Sequence, residues 1–280
     1  KYIRFLFITG ITKISFGNGF TGLNHLNDIG LDNDYSSICG ISGNELEKYF
    51  MPEIEQLAEK QKLGMSDTIK KLGDWYGGYH FSHDVNEVCN PFSIMNALNE
   101  RKFEFYWTRR EFCETKLGKQ TEGLRRTPSF LVKTLEHQPL FLANLVNGRK
   151  AEENQFKNYD PDSKNMLPVI YQSGYLTIKG FEKAPRKFIL DFPNREVREG
   201  FLNVLLKKFV TVPNDDLGIA IDDMRDALNA QNVDKALSII KSAIADLPTI
   251  VKKDMCENYY ESVTHLMFRM TGYRVVSELQ

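Results

Sequence analysis

Cysteine is scarce in this chain and badly spaced for any cysteine chemistry. The four cysteines, Cys39, Cys89, Cys113 and Cys256, lie far apart and form no C-x-x-C pair. That excludes zinc-ligand spacing and a disulfide-scaffold density, and reduced cytosolic thiols are the simplest reading. No apolar stretch approaches the roughly 20 residues of a membrane span. The short apolar run at the N-terminus ends in Thr9-Gly10 and has no small-residue cleavage site, so it is not a signal peptide. Excess charge of one sign is also missing. The formal net charge is −1, which leaves no global basic footprint for nucleic acid.

The catalytic and nucleotide motifs with a short regular spacing are absent too. There is no G-x-x-x-x-G-K-[ST] loop to cradle phosphates, no G-x-G-x-x-G, no H-E-x-x-H and no G-x-S-x-G. The five histidines are scattered. His80 and His83 stand three apart with only Asp84 nearby, which reads as a surface turn and not a metal site.

What is present is an ordinary globular composition, 42% hydrophobic and 26% charged. A chain of 280 residues suggests two domains. Tyr2–Ile8 is a near-continuous apolar, β-branched and aromatic run, which predicts a central strand of a parallel sheet. Gly272–Glu278 begins a second strand after a helical stretch over Asn258–Thr271. Together they predict an internal piece of a longer protein.

Between these ends the pattern is mainly helical. Ser42 and Glu45 form a capping-box signature ahead of Leu46, Tyr49 and Phe50, with Pro52 suited to the first turn of a further helix. Ser66-Asp67 predicts a helix that stops near Gly73. A compact aromatic and glycine turn follows over Trp75–Phe81, and Asn90-Pro91 opens another helix. Basic residues crowd Arg109–Arg126, a stretch of weak periodicity that reads as linker or insertion.

Helices are predicted over Pro128–Leu135, Gln138–Val146 and Met166–Ser173. Tyr175–Ile178 and Lys187–Phe192 then alternate as a β-hairpin, and Pro193-Asn194 caps an amphipathic helix carrying Val197, Phe201 and Leu205. Helix, helix, hairpin, helix is the outline of a winged-helix module. Asp215–Leu247 reads as an antiparallel helix pair with a short turn at Asn229–Val233. The expected fold class is therefore mainly α with a small β component (α+β).

Two places suggest chemistry. Thr9 is a hydroxyl at the carboxyl end of the first predicted strand, where α/β sheets bind ligands. On residue type alone, satisfying local backbone is the simpler role for it. Glu257 and Glu261 share one helix face, and Glu278 follows on the next strand. Carboxylates so placed can hold a divalent cation for phosphodiester hydrolysis, although a solvated helix face explains Glu261 as well.

Several segments together resemble the AAA-ATPase-like proteins that carry a C-terminal PD-(D/E)XK nuclease-like domain. They are Ile3–Lys13, Leu26-Asn27-Asp28-Ile29, Tyr76-Gly77-Gly78-Tyr79-His80-Phe81, Asn90-Pro91-Phe92-Ser93, Thr127–Val132, Tyr171-Gln172-Ser173-Gly174-Tyr175-Leu176-Thr177-Ile178, Phe192-Pro193-Asn194-Arg195-Glu196-Val197 and Cys256–Glu278. One departure is the basic insertion that separates Tyr106-Trp107 from Thr127-Pro128.

The resemblance implies a division of the chain. Residues 1–110 would be the distal part of the ATPase domain, with the sensor strand and helical lid. Residues 111–126 would be a linker, 127–212 a winged-helix-like module, 213–250 a helical hairpin, and 251–280 the start of the nuclease-like domain. It implies Thr9 as a sensor position, Gly77 and Gly78 as the glycine turn of the lid near nucleotide, and Glu257 and Glu278 as parts of an incomplete nuclease site. ATP and Mg²⁺ would belong to the intact protein, and this piece by itself would be catalytically inactive and cytoplasmic.

The hairpin residues Lys183, Arg186 and Lys187 could reach DNA or RNA phosphates. Two competing readings are a protein-interaction or self-associating module of a nucleotide-dependent switch, and a nucleic-acid-binding adaptor.

Overall fold

The computed structural model describes residues 4–10, 27–83, 87–108, 148–160, 163, 165–209, 214–245 and 257–273. Within them the chain is mainly helical with two small antiparallel sheets, the fold class the sequence predicts.

The first part is a helical bundle. A two-residue strand β1 (Ile41–Ser42) leads into α1 (Gly43–Gln61). Ser42 accepts from the Glu45 amide while the Glu45 carboxylate accepts from the Ser42 amide, so two end donors that the helix cannot satisfy internally are paired reciprocally. Phe50 leaves helical geometry two residues before Pro52, and α1 kinks there. Helix α2 (Met65–Tyr76) runs past Gly73, where its end was expected, because Leu72, Trp75 and Tyr76 continue the apolar face into the core. Strand β2 (Val88–Cys89) pairs with β1, with Ile41 opposite Cys89. Asn90 then caps α3 (Pro91–Glu100) by accepting from the Phe92 and Ser93 amides. Leu46, Ile54, Leu57, Leu72, Tyr76, Ile94 and Tyr106 form the buried core of this bundle.

The second part is built on a three-stranded sheet. Strand β3 (Arg149–Ala151) is followed by short helices α4 (Glu153–Phe156) and α5 (Leu167–Gln172). The hairpin β4 (Thr177–Lys183) and β5 (Arg186–Asp191) turns through two residues, and the sheet order is β3-β5-β4. Strand β4 is longer and the connection shorter than the sequence pattern predicts, while β5 keeps the predicted six residues one position earlier. Next come α6 (Arg195–Phe209), α7 (Asn214–Asn229), α8 (Val233–Ala245) and α9 (Glu257–Met270). Helices α7 and α8 pack as the predicted hairpin, and α9 lies against α6 and α8. One core joins Phe156, Ile170, Tyr175, Leu190 and Phe201 to Met224, Ile240 and Leu266. The segments expected as winged-helix module, helical hairpin and nuclease start thus share a single hydrophobic core.

One expectation is corrected. Arg4–Gly10 form no strand, and the run is exposed, Phe5 at 81%. A parallel strand exists only where neighbours take its N–H and C=O groups. No strand among the described residues pairs with it, so local β-propensity has nothing to act on. The predicted elements over residues 109–147 and 274–280 lie outside the described residues.

Candidate functional site

The two parts meet at a junction that joins four of the segments carrying the family resemblance to Trp75, Glu87, Trp107 and Lys179 from outside them. After α2 the chain turns through Gly77-Gly78. Gly78 has φ +75°, a left-handed conformation that favours glycine, and a Cβ there would lie 2.0 Å from the Pro193 carbonyl oxygen. The close approach is used. The Asn194 side-chain nitrogen donates to the Gly77 carbonyl at 2.8 Å. The Lys179 ammonium donates to the Gly78 and Pro193 carbonyls at 2.8 and 2.9 Å. The Gly78 amide donates to Glu87.

Downstream the same turn is stitched to β4. The Thr177 hydroxyl accepts from the His80 amide at 2.7 Å and donates to the His80 carbonyl at 2.8 Å. The Tyr79 hydroxyl donates to the Gly174 carbonyl at 3.3 Å.

The first turn of α6 reaches into the helical bundle with three consecutive residues. Asn194 holds Gly77 and also accepts from the Val197 amide, so one side chain caps α6 and ties it to the bundle. The Arg195 guanidinium lies over the Trp75 ring, 4.8 Å from its centroid. Glu196 is fully buried; its carboxylate accepts from the Ser93 hydroxyl at 2.7 Å and from the Trp107 amide at 2.6 Å. Burial pushes the Glu196 carboxyl above the usual range, while the Ser93 hydroxyl and neighbouring backbone amides pull the other way. Burial likewise pulls the Lys179 amine below the usual lysine range, opposed by Glu87 and Asp191.

Beside the junction lies a cleft of about 420 Å³. Tyr79, Phe81, Trp107 and Tyr171 give it aromatic walls, Asn90-Pro91 at the start of α3 forms one edge, and Gly10 and Asp28 approach from the N-terminal segment. Tyr79 and Phe81 stack with ring centroids 6.2 Å apart. Asp28 is held at the rim by Lys157, 3.2 Å away, and Lys157 also pairs with Glu153 at 2.7 Å. The two thiols of the cleft differ: Cys39 is exposed, whereas Cys89 is buried and its pKa is pushed up to about 12 by burial. Volume, aromatic lining and position between two packed units make this cleft a candidate binding site.

The structure places the predicted residues unevenly. Gly77 and Gly78 are buried at the junction, where their backbone carbonyls accept from Asn194 and Lys179. Thr9 is exposed and outside any strand, next to Gly10 at the cleft. Glu257 opens α9, and Glu278 lies outside the described residues. Lys183 and Arg186 face each other across the hairpin tip, both exposed, and Lys187 is half-exposed opposite Glu182. His80 contacts the Gly78 carbonyl and His83 lies against Phe181. Among the described residues no group of three or more His, Cys, Asp or Glu side chains could hold a metal ion.

Sequence reasoning missed Ser93, Trp107, Lys179, Asn194 and Glu196 as a set. Asn194 was legible as a helix cap, but its partner Gly77 lies 117 residues away. Glu196 looks like an ordinary first-turn acid until its burial is known.

No family model and no solved structure matches the chain. Over 282 residues it is 27% identical to a protein of Azotobacter chroococcum mcd 1 described as "Uncharacterized protein in vnfD 5'region". The match covers 98% of this chain and 49% of that protein, so the chain spans about half the length of the relative. No helix among the described residues is long and apolar enough to cross a membrane.

Proposed function

We propose that the chain is a non-catalytic coupling segment of an AAA-ATPase-like protein with a nuclease-like C-terminal domain, in which a helical lid is latched to a winged-helix-like module. One observation carries the reading. Tyr76–Phe81, Asn90–Ser93, Tyr171–Ile178 and Phe192–Val197, the segments on which the resemblance rests, converge on a single junction through the Asn194, Lys179, Thr177 and Glu196 contacts. The sheet order β3-β5-β4 with helices before and after the hairpin suits a winged helix.

The cleft fits the base of a nucleotide: its volume and the Tyr79, Phe81 and Trp107 rings match a planar aromatic group. The chain's own residues supply no phosphate loop. The described residues offer no acidic cluster for Mg²⁺ either. In this reading the lid residues receive the base, and the buried Glu196 and Asn194 contacts carry the lid's position to α6. Nuclease chemistry would need more than Glu257 and Glu278.

A second reading, a protein-interaction module, is favoured by the exposed apolar run Phe5–Ile8 together with exposed Tyr35 and Ile38. Titrating adenosine and ATP into the chain while following tryptophan fluorescence separates the two. The nucleotide reading expects both to bind with similar affinity, to quench Trp107 and not to be hydrolysed. Quenching that persists in Trp107→Phe, absence of binding, or turnover of ATP by the chain alone contradicts it.

A further inference from the structure

We propose that the tip of the β4–β5 hairpin docks on the phosphate backbone of nucleic acid without reading base sequence. Lys183 pairs with Arg186 across the tip, and both are exposed. Like charges directly opposite one another on an antiparallel pair are destabilising, so the arrangement costs the hairpin stability. The next rung pairs Glu182 with Lys187, but Glu182 also binds the Lys150 ammonium from β3. Lys183 and Arg186 therefore share one face of the tip, while Glu182, already bound by Lys150, and Lys187 share the other; Lys183 and Arg186, with Lys187 one rung away, remain to face an anion.

The geometry also says how such an anion is met. In a helix–hairpin–helix module the helix before the hairpin is the one that could enter a groove. Here that helix, α5, has six residues, and Leu167, Pro168, Val169 and Ile170 are all buried. It has no free face to present to base edges. Contact is left to the hairpin tip, whose lysines and arginine reach phosphates, and phosphate contacts carry no direct sequence information. The inference rests on the hairpin alone and is independent of the nucleotide cleft.

The competing explanation is defensive. Strand β4 is a sheet edge, and lysine on an edge blocks pairing with other chains. The two explanations differ under substitution. Neutralising Lys183→Gln and Arg186→Gln would promote aggregation if the charges only guard the edge.

The test is fluorescence anisotropy of two unrelated labelled 30-base-pair duplexes with the full chain at 50 and 200 mM salt. Three phosphate contacts give an expected weakening of about 40-fold between those salts, equal for both sequences. Lys183→Glu with Arg186→Glu should abolish binding while far-ultraviolet circular dichroism stays unchanged, since both side chains are exposed. No binding at 50 mM salt, binding that survives the double reversal, or a preference for one sequence overturns the proposal. So does equally tight binding to vesicles of anionic lipid, which would make the tip a membrane contact.

Discussion

The Asn194 side chain donates to the carbonyl of Gly77 at 2.8 Å while its oxygen accepts from the Val197 amide at 3.0 Å. A single residue thus starts α6 and fastens it to the end of α2. Replacing Asn194 with alanine removes the cap and leaves a buried carbonyl unpaired. The expected loss is about 2–3 kcal/mol, read from urea unfolding as a lower midpoint with an unchanged slope.

Gly78→Ala should be at least as damaging. It forces a side chain into a left-handed conformation, which costs roughly 1–2 kcal/mol. It also drives a Cβ to 2.0 Å from the Pro193 oxygen, which must then move away from Lys179. A loss of less than about 1 kcal/mol by urea unfolding would mean that the junction is softer than its contacts imply.

Glu196 predicts a pH dependence. Burial raises its folded-state carboxyl above the ordinary value of 4.5, so the folded state binds a proton more tightly than the unfolded one. Stability from this group is therefore greatest at low pH and falls as pH rises from about 4.5 through the folded-state pKa. Glu196→Gln should flatten that part of the stability–pH curve, because the amide stays neutral while its oxygen can still accept from Trp107. Unfolding midpoints from pH 4 to 8 for both proteins check this. An unchanged curve in the glutamine variant would remove Glu196 as the source.

The cleft thiols should react at different rates. Cys39 is exposed, and Cys89 is buried with a thiol pKa near 12. At pH 8 a maleimide should modify Cys39 readily and Cys89 only after denaturation, because the thiolate is the nucleophile. Peptide mapping by mass spectrometry distinguishes the two sites. Equal labelling of both under native conditions would contradict the packing of β2.

Local structure was largely legible in the sequence because its signals are local. The Ser42–Glu45 capping box, the Asn90-Pro91 helix start, the hairpin before Pro193-Asn194 and the α7–α8 turn are each written within a few residues. The Phe5–Ile8 run misled for the opposite reason, since strand propensity is realised only where a neighbouring strand exists. The candidate site was half legible. The motifs at Tyr76–Phe81 and Phe192–Val197 stood out through the family resemblance, but nothing in either shows that they touch. The Glu196–Ser93 bond spans 103 residues, and burial, which sets its character, is a property of the assembled core.

The junction should make one cooperative unit of the two hydrophobic cores. Scanning calorimetry of the wild-type chain against the Asn194→Ala/Glu196→Ala double variant tests it most directly. The wild type should unfold in one transition, and the variant in two, with the helical bundle and the sheet-based core melting separately. A variant that still unfolds in one transition at the wild-type midpoint would contradict the claim.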